Sequence, residues 1–124
     1  MQPPTPKVLV VDDHRIITDT LVTILQMNGF DPSGTYSGRE AIRTIDRLEP
    51  DIALCDINLA DMSGVDVAIQ IQERFPKCRI LLLSGDSSSA SALQRAGEEG
   101  LAFETVAKPI APLALLNLLR RTSN

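Results

Sequence analysis

Asp56 ends an apolar run, Ile52-Ala53-Leu54-Cys55. A carboxylate at the tip of a buried strand is costly unless a cation or a chemical task holds it there. Three more apolar runs stop at polar residues: Val8-Leu9-Val10-Val11 at Asp12-Asp13, Ile80-Leu81-Leu82-Leu83 at Ser84-Gly85, and Val106-Ala107 at Lys108-Pro109. Acids, a hydroxyl and an ammonium, each just past a strand, are the components of a site that accepts a phosphoryl group.

Each piece also has a plain explanation. Acids between a strand and a helix, such as Asp12 and Asp13, often serve as N-caps, and Asp56 alone could cap a turn. Ser84-Gly85-Asp86 is an ordinary turn or helix start. Lys108-Pro109 reads as a solvated lysine before a helix-opening proline. Three carboxylates brought together would repel one another, however. A hard divalent cation relieves that repulsion, and Mg2+, which takes oxygen ligands and keeps several waters, suits the set.

The elements that must position these residues alternate strand and helix. Lys7–Val11 reads as a buried strand, followed by Ile17, Leu21, Ile24 and Leu25 at helical spacing with a stop at Asn28-Gly29. Phe30 to Tyr36 is a weak strand whose Pro32 and Gly34 suit an edge. Ser37 caps a helix bearing Ala41, Ile42, Ile45 and Leu48, ended by Pro50. The third strand is Ile52–Asp56, and Met62-Ser63-Gly64 opens a helix with Val67, Ala68, Ile71 and Phe75 inward. Arg79–Leu83 is the fourth strand, and Ser87-Ser88-Ser89 begins a small-residue helix with Leu93 and Ala96 inward. A fifth strand covers Leu101–Ala107, and Pro109 or Pro112 starts a last helix carrying Leu115, Leu116 and Leu119.

This alternation predicts an α/β fold: a doubly wound, five-stranded parallel sheet with five helices, flavodoxin-like, in strand order 2-1-3-4-5. Right-handed crossovers leave few other arrangements. In that order, strands one and three meet at the switch point, where ligands bind beyond the carboxyl ends. Asp12, Asp13 and Asp56 then converge, with Ser84 and Lys108 on the next two strands.

With 124 residues and no linker, the chain is expected to form one domain over 7–121, with a proline-rich leader at 1–6 and a short tail at 122–124. The net charge of -4 argues against a nucleic-acid surface. No apolar stretch approaches the about 18 residues of a membrane span, and no export signal is evident. Cys55 and Cys78 are too few for a disulfide framework, which together with the missing signal points to the cytoplasm.

Over roughly Lys7 to Arg121 the chain resembles a CheY-like response-regulator receiver domain of bacterial two-component signalling. The resemblance rests on Val10-Val11-Asp12-Asp13, on Cys55-Asp56-Ile57-Asn58 with Met62-Ser63-Gly64, on Leu83-Ser84-Gly85, and on Lys108-Pro109. It implies that Asp56 is the nucleophile and the phosphorylated residue. Asp13 and Asp56 would contact Mg2+ directly, Asp12 would act largely through water, and the Asn58 backbone carbonyl would add a ligand. Ser84 would hydrogen-bond a phosphoryl oxygen, Gly85 would keep the approach open, and Lys108 would pair with the phosphoryl charge. Asn58 and Asp86 are expected to tune phosphoryl lifetime.

The implied donor is a sensor histidine kinase or a histidine phosphotransfer protein, with small acyl phosphates as a second source. The implied output is a shift of the surface formed by the fourth helix, fifth strand and fifth helix, which regulates a downstream protein that the sequence does not name. The chain would be a monomer or a weak phosphorylation-dependent dimer. It would not be an enzyme beyond its own phosphorylation and autodephosphorylation.

Three departures from the family pattern stand out. Thr105 occupies the place three residues before the lysine where the family carries an aromatic, and the nearest aromatic is Phe103. Either residue could take over the usual switch, or neither. Ala60-Asp61 replaces the usual proline before Met62, which predicts a looser loop. The last helix is unusually apolar, with Leu113, Leu115, Leu116, Leu118 and Leu119, so part of it is either core or a docking face.

Two rival readings remain. A haloacid-dehalogenase-type phosphatase also uses an aspartyl nucleophile, but it needs an acid two residues on, where this chain has Asn58. A receiver-shaped interaction domain that works without phosphorylation is the other.

Overall fold

The computed structural model of the chain describes residues 5–85 and 103–121. These form β1 (Lys7–Val11), α1 (Arg15–Gln26), β2 (Asp31–Thr35), α2 (Gly38–Leu48), β3 (Ile52–Asp56), α3 (Gly64–Arg74), β4 (Arg79–Ser84), β5 (Glu104–Ala107) and α4 (Pro112–Arg120). The helix expected from Ser87, together with Asp86, Leu101 and Ala102, lies outside the described residues, so α4 is the last of the five expected helices. Most of the expected leader and the whole of the expected tail also lie outside them.

The strands form one parallel sheet in the order β2-β1-β3-β4-β5. The three central strands are the apolar runs, because a parallel sheet covered on both faces has no solvent side for polar residues. All five residues of β3 are buried. Alternate side chains feed two cores. Leu9, Val11, Cys55 and Leu82 pack with Ala41 and Ile45 of α2 and Val67, Ala68 and Ile71 of α3. Val8, Val10, Leu54 and Leu81 pack with Leu21 and Leu25 of α1 and Leu115, Leu116 and Leu119 of α4.

Strand register sets the position of the polar residues. Val11 pairs with Cys55, so Asp12 leaves β1 level with Asp56. Asp56 pairs with Leu83, and Ser84 with Ala107, so Lys108 leaves β5 one residue past Ser84.

The sheet edges carry the weaker strands. Pro32 and Gly34 sit in β2, as edge placement allows. At the other edge the charge of Glu104 is held by Arg79. Arg79 Nε donates to Glu104 Oε2 at 2.7 Å and Nη2 donates to Oε1 at 2.8 Å. Arg79 Nη1 also donates to the carbonyls of Leu118 at 2.9 Å and Arg121 at 3.3 Å, gripping the end of α4.

Helix starts follow local chemistry. The Ser37 hydroxyl accepts from the Glu40 N–H at 3.0 Å, while Glu40 Oε1 accepts from the Tyr36 N–H at 3.0 Å. Ser63 caps α3 by accepting from the Val65 N–H at 3.2 Å. Pro112, rather than Pro109, opens α4. Of its leucines, Leu115, Leu116 and Leu119 are core, Leu118 is half-buried, and Leu113 is 69% exposed, which shrinks the spare apolar face to one residue.

The loop after β3 is tied down rather than loosened. Asp61 accepts from the N–H groups of Gly38 at 3.0 Å and Arg39 at 2.9 Å, anchoring the loop on the positive end of α2. Ala60 N–H donates to Asp13 Oδ2 at 2.8 Å. These charge-assisted bonds do the work expected of a proline ring. Gly64 lets α3 begin directly against β3, because a Cβ there would overlap the Asp56 carbonyl oxygen.

Candidate phosphoacceptor site

Asp12 and Asp56 are buried at the adjoining ends of β1 and β3. Lys108 reaches both: Nζ donates to Asp12 Oδ2 at 2.8 Å and lies 3.2 Å from Asp56 Oδ2. Among the described residues one ammonium therefore faces two carboxylates, with Asp13 beside them, and acid outweighs base in the cluster. Asp56 Oδ1 accepts from the Asn58 N–H at 3.3 Å.

The charges respond as this crowding requires. Burial pushes the Asp56 pKa up, the nearby Lys108 charge opposes the rise, and Asp12 adds to it, for a net upward shift. Burial pulls Lys108 down, but the bond to Asp12 and the charges of Asp56 and Asp12 outweigh it, so its pKa is raised. The Cys55 thiol is also pushed up, first by burial and then by Asp56, which fits an inert packing role.

Asp13 supplies the strongest indication of a cation site. Its Oδ2 accepts from Ala60, while its Oδ1 is buried without a hydrogen-bond partner among the described residues. His14 Nδ1 lies 3.3 Å from that oxygen but does not hydrogen-bond it. Donor atoms from Asp12, Asp13, His14 and Asp56 all lie within 4.8 Å of one another. An orphaned carboxylate oxygen in an oxygen-rich cleft, with Asp13 partly open to water, fits a hard divalent ion.

The remaining expected residues are placed as follows. Ser84 ends β4, half-buried, and its carbonyl accepts from the Lys108 N–H at 2.9 Å. Gly85 follows it, and a Cβ there would meet Lys108 Cδ at 3.5 Å, an ordinary contact, so steric need alone does not explain this glycine. Asn58 is exposed and bridges to Ser63 across the loop. Phe103 is half-buried against the core between the sheet and α2/α3, whereas Thr105 is exposed. Asp86 lies outside the described residues.

Two participants were not anticipated. One is His14, whose position directly after two acids is a usable signal in the sequence. The other is Asp61, which stands near the family's usual proline and whose carboxylate caps α2.

The sequence profile of the response regulator receiver domain matches residues 8–120. The chain belongs to this family. The fold agrees with solved relatives. A CheY-like receiver domain protein from Methanospirillum hungatei JF-1 matches with TM-score 0.82 and 24% identity, covering 94% of this chain and 92% of that one. Chemotaxis protein CheY4 of Vibrio cholerae matches with TM-score 0.81 and 28% identity, covering 95% and 98%. The BeF3-activated receiver domain of DrrB, a Thermotoga maritima protein, matches with TM-score 0.78 and 26% identity, covering 95% and 97%. This receiver domain carries an acid cluster at the carboxyl ends of β1 and β3, and no helix among the described residues is long and apolar enough to cross a membrane.

Proposed function

We propose that this receiver domain is a phosphoacceptor switch in two-component signalling, with Asp56 as the residue that takes the phosphoryl group. The observation that carries this reading is the buried Asp56 carboxylate held 3.2 Å from an ammonium that Asp12 also engages. An Asp56 oxygen attacks phosphorus and forms the O–P bond as the N–P bond of a phosphohistidine breaks, and the imidazole leaves with the electron pair. Lys108 neutralises charge on the transferred group, and the Ser84 hydroxyl donates to one of its oxygens.

Asp13, Asp56 and the Asn58 carbonyl would hold Mg2+, with Asp12 acting through water; the ion would supply further charge neutralisation at the transferred group. Asn58, Asp86 and Gly85 would tune how long the acyl phosphate survives before water hydrolyses it. The phosphorylated group adds about two negative charges at one pole of the sheet. Ser84 then biases the surface around β5 and α4, with Phe103 as the half-buried aromatic available to repack and Thr105 on the same strand. Catalysis is confined to self-phosphorylation and autodephosphorylation, and the place of action is the cytoplasm.

The donor is a histidine kinase or phosphotransfer protein. A groove of about 420 Å3, lined by Ile16, Ile17, Leu21 and Ile24 of α1 and by Pro109 and Ile110, opens beside Lys108. A protein that brings phosphohistidine to Asp56 must cover this ground.

The test is direct. Incubation with Mg2+ and acetyl phosphate should add one phosphoryl mass, labile to alkali, that is absent in Asp56→Asn. If wild type acquires no adduct from either acetyl phosphate or a phosphorylated donor, the domain works as an interaction module without phosphorylation.

A further inference from the structure

His14 is the N-cap of α1, yet its side chain makes no capping hydrogen bond. The ring turns back to the acids instead: Nδ1 is hydrogen-bonded to Asp12 Oδ1 at 3.0 Å and lies 3.3 Å from Asp13 Oδ1. The His14 backbone N–H also donates to Asp12 Oδ1 at 3.0 Å, which fixes the residue at this spot. Because Lys108 takes Asp12 Oδ2, the oxygen left for an ion is the one nearest the imidazole.

The approach of Nδ1 to Asp13 Oδ1, which no hydrogen bond explains, suits two neighbouring ligands on one ion. In an octahedral shell of radius about 2.1 Å, adjacent donors are about 3.0 Å apart and opposite donors about 4.2 Å. The 3.3 Å from the imidazole to Asp13 is close to the adjacent value, and the full set including Asp56 lies within 4.8 Å, so the widest pair would have to draw in by up to about 0.6 Å around an ion. Asp13 Oδ1, buried without a hydrogen bond, adds the unsatisfied acceptor that an ion would fill.

We propose that His14 Nδ1 is a direct ligand at this pocket, so that the site takes a first-row transition ion such as Mn2+ or Co2+ in preference to Mg2+. The inference rests on the metal reading given under Proposed function and deepens it. Mg2+ is a hard ion that favours oxygen, whereas imidazole nitrogen raises affinity for transition ions, increasingly from Mn2+ to Co2+. A His ligand therefore changes which ion wins without removing any carboxylate.

The test uses the full chain, wild type and His14→Phe, titrated with Co2+ and Mg2+ by calorimetry and loaded with Mn2+ for pulsed EPR. His14 is 67% exposed, so the ring swap leaves the fold intact, which circular dichroism checks. Wild type should bind Co2+ at least about a hundredfold more tightly than Mg2+. His14→Phe should lose about tenfold or more in Co2+ affinity and far less in Mg2+ affinity. Bound Mn2+ should show nitrogen-14 coupling in wild type that disappears in the variant. Absence of that coupling in wild type, or equal Co2+ affinity in the two proteins, overturns the role of His14 while Mg2+ binding leaves the pocket itself standing. If none of the three ions binds, the metal reading falls with it.

Discussion

Lys108 donates to Asp12 across 2.8 Å, joining the loop after β5 to the end of β1. Asp12 has no exposed side-chain surface, and Lys108 has 15%. Removing the ammonium strands a buried carboxylate, so Lys108→Met should cost about 2–4 kcal/mol in urea unfolding at pH 7 without metal. The raised Lys108 pKa means that its contribution is complete below the unfolded value of 10.5 and fades as pH climbs through the folded value. A wild-type advantage that stays constant into strongly alkaline solution would contradict this pairing.

Asp56 should behave in the opposite sense. Its folded pKa is raised above 3.8, so the charged form opposes folding at neutral pH, and the penalty vanishes once pH drops below the unfolded value. Asp56→Asn should therefore be more stable than wild type at pH 7 in metal-free buffer. The gap should close on acidification to about pH 3. Equal unfolding midpoints at pH 7 would show that Lys108 fully compensates the desolvation.

Gly64 is required by the close approach of α3 to Asp56. Gly64→Ala forces a methyl into the Asp56 carbonyl and should destabilise by about 3 kcal/mol. Phosphorylation by acetyl phosphate should slow as well, because the Asp56 backbone has to move. An alanine variant with wild-type unfolding and labelling would refute the contact.

Asp61→Ala removes two acceptors from the start of α2 and should cost about 1 kcal/mol. Amide exchange at Gly38 and Arg39 should quicken relative to the middle of the helix. Asp61 has a lowered pKa, chiefly through the Arg39 N–H, so its stabilisation holds above 3.8 and is lost as pH falls through the folded value. Unaltered exchange at those two amides would show that water serves the helix end equally well.

Ile16 is 82% exposed on the groove beside Lys108. Ile16→Asp should reduce transfer from a phosphorylated protein donor by about tenfold or more. Labelling by acetyl phosphate should change less than about twofold, since a small donor needs no apolar surface. A parallel drop with both donors would place the effect in the acid pocket rather than on the docking ground.

Much of this was readable from residue order. β1 and β3 were placed to the residue because their apolar runs are buried on both faces and end in aspartates that cannot continue inward. Since register carries every strand to the same pole, Asp12, Asp56, Ser84 and Lys108 followed from those ends. The less legible parts depend on partners distant in the chain. Asp61 meets Gly38 only after α2 and the β3 loop have packed, and Glu104 meets Arg79 only once β4 and β5 pair. The choice of Pro112 over Pro109 was equally hidden, because proline suits either place and only the packing of Leu115, Leu116 and Leu119 decides.

Arg79 holds Glu104 on one side and the last carbonyls of α4 on the other, at the end of β4 farthest from Ser84. Strand and helix are thereby riveted together at one pole, the one opposite the acid pocket. Under the proposed switch, a displacement begun near Ser84 would grow with distance from that guanidinium.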